Sequence, residues 1–155
     1  MSSNRIKKEI KFELNELESL FSLYKDELIN LEREPNLVEL TAMASVLHSF
    51  YSGVEKILLV VAKKIDKNVP YDINWHKSLL FQMANENEKR KAVISDEMKD
   101  ILLKYLAFRH FYRHSYSSRL QWDKIESPFK KIRKTWEQFE SEICDFLNHY
   151  QDEIH

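Results

Sequence analysis

Apolar residues recur at spacings of three and four along nearly the whole chain, and that period most limits what it can fold into. From Ile10 the positions Leu14, Leu17, Phe21, Tyr24, Leu28 and Leu31 keep it, with Lys and Glu mostly between them. On a helix of about 3.6 residues per turn these side chains share one face. A second stripe runs through Leu37, Leu40, Ala44, Leu47, Tyr51, Val54, Leu58, Val61 and Ile65, widened by Val46, Leu59 and Val60, and predicts the most buried helix. Pro35 separates the two, and Asn36 followed by Glu39 reads as a capping box opening the second.

Asp66 to Asn74, containing Pro70, reads as a loop, with Asp72 or Asn74 capping a short helix that carries Trp75, Leu79, Leu80 and Met83. The polar run Asn85 to Lys91 turns the chain. Ser95, with Asp96 and Glu97 behind it, caps a helix striped by Met98, Ile101, Tyr105, Phe108 and Tyr112, and Ser115, Ser117 and Ser118 mark its end. The last stripe is Ile125, Phe129, Ile132, Trp136, Phe139, Ile143, Phe146 and Tyr150. Pro128 suits only the start of a helix, so Ser127 is the expected cap and Trp122 to Glu126 a preceding turn. The expectation is an all-α chain: an antiparallel four-helix bundle with an additional short helix, in one domain spanning 1–155.

Composition agrees, since 155 residues contain one Gly and three Pro. A net charge of -1 argues against a protein that coats nucleic acid non-specifically, so any RNA contact must use a local patch. Cys144, the one cysteine, is expected to pack as a small apolar residue. Residues 1–9 hold no apolar signal core, and the apolar run Ile57 to Ala62 is too short to span a bilayer. These features lead to the expectation of a cytoplasmic protein without a membrane anchor.

The local patch is Arg109-His110-Phe111-Tyr112-Arg113-His114-Ser115-Tyr116. No Asp or Glu occurs between Asp100 and Asp123, so a cationic segment ends an apolar helical run. Guanidinium groups bind phosphate through paired hydrogen bonds, and an imidazole moves protons near neutral pH. One geometric difficulty stands out. Positions 109 and 114 lie roughly 140° apart on an ideal helix, so they share a face only if the helix loosens near Ser115 or two chains form the cleft.

Arg109-x4-His114-x-Tyr116, late in the penultimate long helix, resembles the signature of HEPN-domain ribonucleases, specifically the HepT-type toxins of HEPN/MNT (minimal nucleotidyltransferase) systems. The segments Tyr51-Ser52-Gly53-Val54-Glu55-Lys56-Ile57-Leu58 and Trp75-His76-Lys77-Ser78-Leu79-Leu80 are similar to that family's pattern too. The resemblance implies a metal-independent endoribonuclease toxin whose cleft forms between the subunits of a homodimer. In that reading His114 takes the ribose 2′-OH proton and Arg109 stabilises the pentacoordinate phosphorus, while Arg113, His110 and Arg119 assist in binding RNA phosphates. Tyr116 is implied as the residue that a nucleotidyltransferase antitoxin adenylylates; the added charge would keep RNA out of the cleft.

Each residue also has a plainer reading. Arg109 and His114 can complement the helix dipole, Tyr112 continues the apolar stripe, and Lys104, Arg119 and the run Lys130, Lys131, Arg133, Lys134 fit a solvated surface. His110 and His114 at i, i+4 have no carboxylate or cysteine nearby in sequence to complete a zinc site, so no metal or other cofactor is expected. His48, His76 and His149 are scattered and receive no role. The alternative to a nuclease is a HEPN-like bundle that no longer cuts RNA and serves as a binding partner of a nucleotidyltransferase. A third reading is a purely structural helical protein.

Overall fold

Every predicted stripe is helical in the computed structural model, which describes residues 3–24, 31–114 and 120–150. Helix α1 (Ser3–Tyr24) starts earlier than the stripe from Ile10 suggested, and Ile6 adds a buried turn at its beginning. Leu28 lies outside the described residues, and Leu31, expected on the stripe, is not helical, although it is partly buried against the core. Helix α2 (Leu37–Val61) opens with the expected capping box. Asn36 Oδ1 accepts from the Glu39 amide at 2.9 Å, and Glu39 Oε1 accepts from the Asn36 amide at 3.0 Å. Arg33 then grips Glu39 through two bonds of 2.7 and 2.8 Å, and with the amide of Asn36 this holds the Glu39 carboxyl down to about 2.

Past Val61 the chain widens into a π-helical turn, Ala62–Asp66, which stops at Lys67 in the left-handed conformation (φ 56°). Asp66 is therefore not the first residue of a loop. It is a buried helix-end carboxylate paired with Arg90, which belongs to the polar run that turns the chain. Helix α3 (Trp75–Ala84) follows the 67–74 connection. The Asn74 side chain makes no capping bond, whereas Asp72 Oδ1 accepts from the Asn74 amide at 2.9 Å.

Helix α4 (Asp96–Arg113) is capped as expected, Ser95 Oγ accepting from the Met98 amide at 3.0 Å. The final stripe differs from expectation by breaking into α5 (Trp122–Lys130) and α6 (Ile132–His149). Trp122 to Glu126 are helical rather than a turn, and Ser127 is not a cap. Pro128 lies inside α5, and the break falls three residues later at Lys131. The Pro128 carbonyl, which a continuous helix would pair internally, instead accepts from the Tyr105 hydroxyl at 2.8 Å.

Cross-helix contacts fix the directions. Glu9 pairs with Lys64 and Glu13 with Lys56, while Phe21 meets Phe50, so α1 and α2 run antiparallel. His48 meets Tyr112 and Phe50 meets Tyr105, so α2 and α4 do as well. Ser95 bonds Glu142 and Tyr105 contacts Thr135, which sets α4 against α6 in the same sense. The result is an antiparallel bundle of long helices, with α3 beside α2 and α4, and no strand among the described residues. Gly53 permits a close approach of α1 to α2, because a Cβ there would lie 2.5 Å from Cδ2 of the buried Leu17.

The α2 segment extended through its π turn, Leu37–Asp66, is long and apolar enough to cross a bilayer by length and composition. Leu37 and Val38 at its start are exposed, but its middle is enclosed by the other helices: Phe50, Val54, Ile57, Leu58 and Val61 are fully buried. Burying each such side chain contributes about 1.5–3 kcal/mol, which makes α2 the central strut of the fold. Cys144 departs from expectation, for it is exposed on α6 rather than packed.

Candidate active site

The last two turns of α4 carry the cationic segment to one wall of a cleft of about 340 Å³. Leu106, Arg109, His110 and Arg113 of α4 and the capping His114 line it, and Ile73 of the 67–74 connection and His76 of α3 face them. Two arginines and three histidines thus converge with no carboxylate in the lining. The C-terminal end of α4 favours cations there, because the helix dipole places partial negative charge at its last carbonyls.

Arg109 and His114 line this cleft together despite their spacing. The helix ends at Arg113, and His114 takes φ -106° and ψ 8°, its amide bonding back to the Phe111 carbonyl at 3.2 Å. That bond spans three residues rather than four, so the last turn tightens rather than loosens. His110 and His114 approach with ring centroids 4.5 Å apart. His110 and Arg113 are exposed at the mouth, whereas Arg109 is half-buried. Tyr116 and Arg119 lie outside the described residues. Tyr112 is half-buried and stacks on Phe108, in keeping with its place on the stripe.

Among the described residues, three buried side-chain polar atoms have no hydrogen-bond partner: Nδ1 of His48, the hydroxyl of Tyr51 and Nε of Arg109. All three belong to one neighbourhood. Burial lowers the pKa of His48, and the charges of Arg109 and Arg113 lower it further, so protonation of this imidazole is disfavoured. Burial raises the pKa of Tyr51 and the Glu55 carboxylate adds to the rise, with Arg109 opposing both. Buried polar groups are nearly always paired in folded proteins, so three orphans around one guanidinium mark a place kept for something other than stability. The Nε–H of Arg109 is a donor with no acceptor among the described residues.

Of the three histidines left without a role in the sequence, His76 lines this cleft and His48 lies within reach of its arginines, whereas His149 sits elsewhere, bonded to the Asp145 carbonyl. His76 Nδ1 lies 2.6 Å from Oε2 of Glu55, a buried residue one turn beyond Tyr51 on α2. The available signal was Glu55 itself, a carboxylate set among the most apolar residues of the chain. Lys104 faces away from the cleft and, with Lys124, Lys131 and Lys134, borders an apolar groove over Phe108 and Phe111. No group of three or more His, Cys, Asp or Glu side chains among the described residues is arranged to hold a metal ion.

Residues 42–150, from the first turns of α2 to the end of α6, match the family described as HepT-like protein. The chain belongs to the HepT-like proteins. It is a HepT-type HEPN-domain protein, and its family points to the HEPN nucleases in general. The matched span contains every residue that lines the cleft, from Ile73 to His114. No curated protein and no solved structure matches this HepT-like chain.

Proposed function

We propose that this HepT-like protein is a metal-independent endoribonuclease. The observation that carries the reading is the joint presence of Arg109 and His114 in one cleft that holds two guanidiniums and three imidazoles and no carboxylate. RNA can be cut without metal when its 2′-OH loses a proton and attacks the adjacent phosphorus. His114 takes that proton as the general base. The phosphorane gains negative charge as the O2′–P bond forms, and the Arg109 guanidinium, never losing its own charge, stabilises it through directed hydrogen bonds. Arg113 and His110 at the mouth, and Arg119 beyond it in sequence, attract the flanking phosphates.

The protein acts as a toxin in the cytoplasm, and two copies complete the RNA-binding cleft. A nucleotidyltransferase antitoxin silences it by adenylylating Tyr116, which adds a bulky anion two residues from His114. These proposals extend the same reading from the motif Arg109-x4-His114-x-Tyr116.

The test is incubation of the purified protein with mixed cellular RNA in excess EDTA, followed by end-group analysis of the products. Cleavage leaving 2′,3′-cyclic phosphate ends is expected. Intact RNA after incubation with a dimer shown by mass spectrometry to be unmodified at Tyr116 would overturn the nuclease, and would favour a bundle that binds a nucleotidyltransferase without cutting.

A further inference from the structure

A proton must also be given in this reaction. When the P–O5′ bond breaks, the departing 5′-oxygen is a poor leaving group unless it is protonated, and the Arg109–His114 pair accounts only for the proton removed. The opposite wall of the cleft holds an imidazole on a different element. His76 sits in the first turn of α3 and lines the cleft together with Arg109, His110, Arg113 and His114.

Three observations separate His76 from a surface histidine. Its Nδ1 lies 2.6 Å from the Glu55 carboxylate, whose side chain is 8% exposed, so the imidazole satisfies a carboxylate that burial would otherwise leave unpaired. The carboxylate holds the proton on Nδ1, so the imidazolium's second proton sits on Nε2, the nitrogen left free to meet a ligand. The Trp75 indole stacks on the ring at 3.7 Å between centroids and 29° between planes, which restrains its tilt. His110, the other candidate, is exposed, packs against His114 and has no carboxylate partner among the described residues.

We infer that His76 is the general acid of this cleft and that Glu55 is its positioning residue, an inference that rests on the nuclease reading above. The proton of the 2′-OH passes to His114 as the O2′–P bond forms. The P–O5′ bond then breaks, and the proton on Nε2 of His76 passes to O5′, giving a 2′,3′-cyclic phosphate and a free 5′-hydroxyl. His76 retains its Nδ1–H toward Glu55 throughout. Exchange with water returns the proton to His76 and removes the one held by His114.

A change of leaving group tests this. An oligoribonucleotide that the parent protein cuts at one bond is prepared with O5′ at that bond and, separately, with sulfur in its place, since a thiolate departs without being protonated. His76→Gln is expected to slow the oxygen substrate by roughly 10²–10³-fold and the sulfur substrate by no more than about threefold. His114→Ala is expected to slow both alike, because removal of the 2′-OH proton is common to the two. Glu55→Gln, nearly isosteric, is expected to show a smaller loss that sulfur again relieves, and it serves if His76→Gln does not fold. Equal slowing of both substrates by the His76 and Glu55 variants, or no slowing of either, would overturn the assignment while leaving the nuclease intact. A parent protein that cuts neither substrate would overturn the nuclease reading and this inference with it.

Discussion

His48 is half-buried within reach of the Arg109 and Arg113 charges, and its Nδ1 has no hydrogen-bond partner among the described residues. Burial first, and the two guanidiniums second, place its folded pKa below the ordinary value of about 6.5. The unfolded chain therefore binds more protons than the folded one as pH falls through about 6.5, and stability declines there, while above that pH the contribution is flat. Melting temperatures of the parent and His48→Gln, measured from pH 7.5 to 5, are expected to show a shallower acid loss in the variant. Superimposable profiles would show that His48 is not held neutral. At this scale the legible residues were those close in sequence. Arg109, His110, Arg113 and His114 fall within six positions, and their chemistry could be read from the string. Glu55 and His76 are 21 residues apart on different helices, and only folding makes them a pair.

The break between α5 and α6 shows how an element is decided by a distant residue. Pro128 removes one amide from the helix ladder, and the carbonyl it leaves at the break is taken by Tyr105 of α4, whose hydroxyl also contacts Thr135 at 3.3 Å. Burial pushes the Tyr105 pKa up to about 12, against the lowering effect of the Thr135 hydroxyl, so the donor keeps its proton at any physiological pH. Tyr105→Phe leaves the Pro128 carbonyl and the Thr135 hydroxyl short of a partner inside the fold. It is expected to cost about 1–3 kcal/mol in urea unfolding, with the helical signal of the native protein unchanged. The caps at Asn36 and Ser95 were legible because a cap and its partner lie three residues apart. The α5–α6 break was not, because its stabilising donor sits 23 residues upstream on another helix. Cys144 shows the limit of periodicity, which places a residue near a stripe without deciding whether a neighbour covers it.

For the whole molecule, the Asp66–Arg90 cluster ties the end of α2 to α3 and to the chain leading into α4. Arg90, whose side chain is fully buried, donates from Nε and Nη2 to the two Asp66 oxygens at 2.7 Å each, and from Nη1 to the Asn85 carbonyl at 2.9 Å. Gln82 and Asn87 add bonds to the same carboxylate at 2.8 and 3.1 Å. Burial alone would raise the Asp66 pKa, but these bonds prevail and hold it below the ordinary carboxylate range, so this stabilisation is present above about pH 4 and lost as pH falls through the folded value. Arg90→Met strands a buried carboxylate and is expected to cost about 3–5 kcal/mol by denaturant unfolding at pH 7. A loss under 1 kcal/mol would mean that the cluster is not the anchor described here. Because the cluster holds α3, and α3 carries His76 to the cleft, the fold and the proposed chemistry share this support.

The central claim is that the Arg109–His114 cleft cuts RNA without metal. Its most direct measurement is the single-turnover cleavage rate of one RNA in excess EDTA, by the parent and by a folded His114→Ala protein at equal saturation. Loss of the general base should slow cleavage by about 10²–10⁴-fold with RNA binding retained. Equal rates in the two proteins would contradict the account, because the proton would then be leaving the 2′-OH by a route that this cleft does not provide.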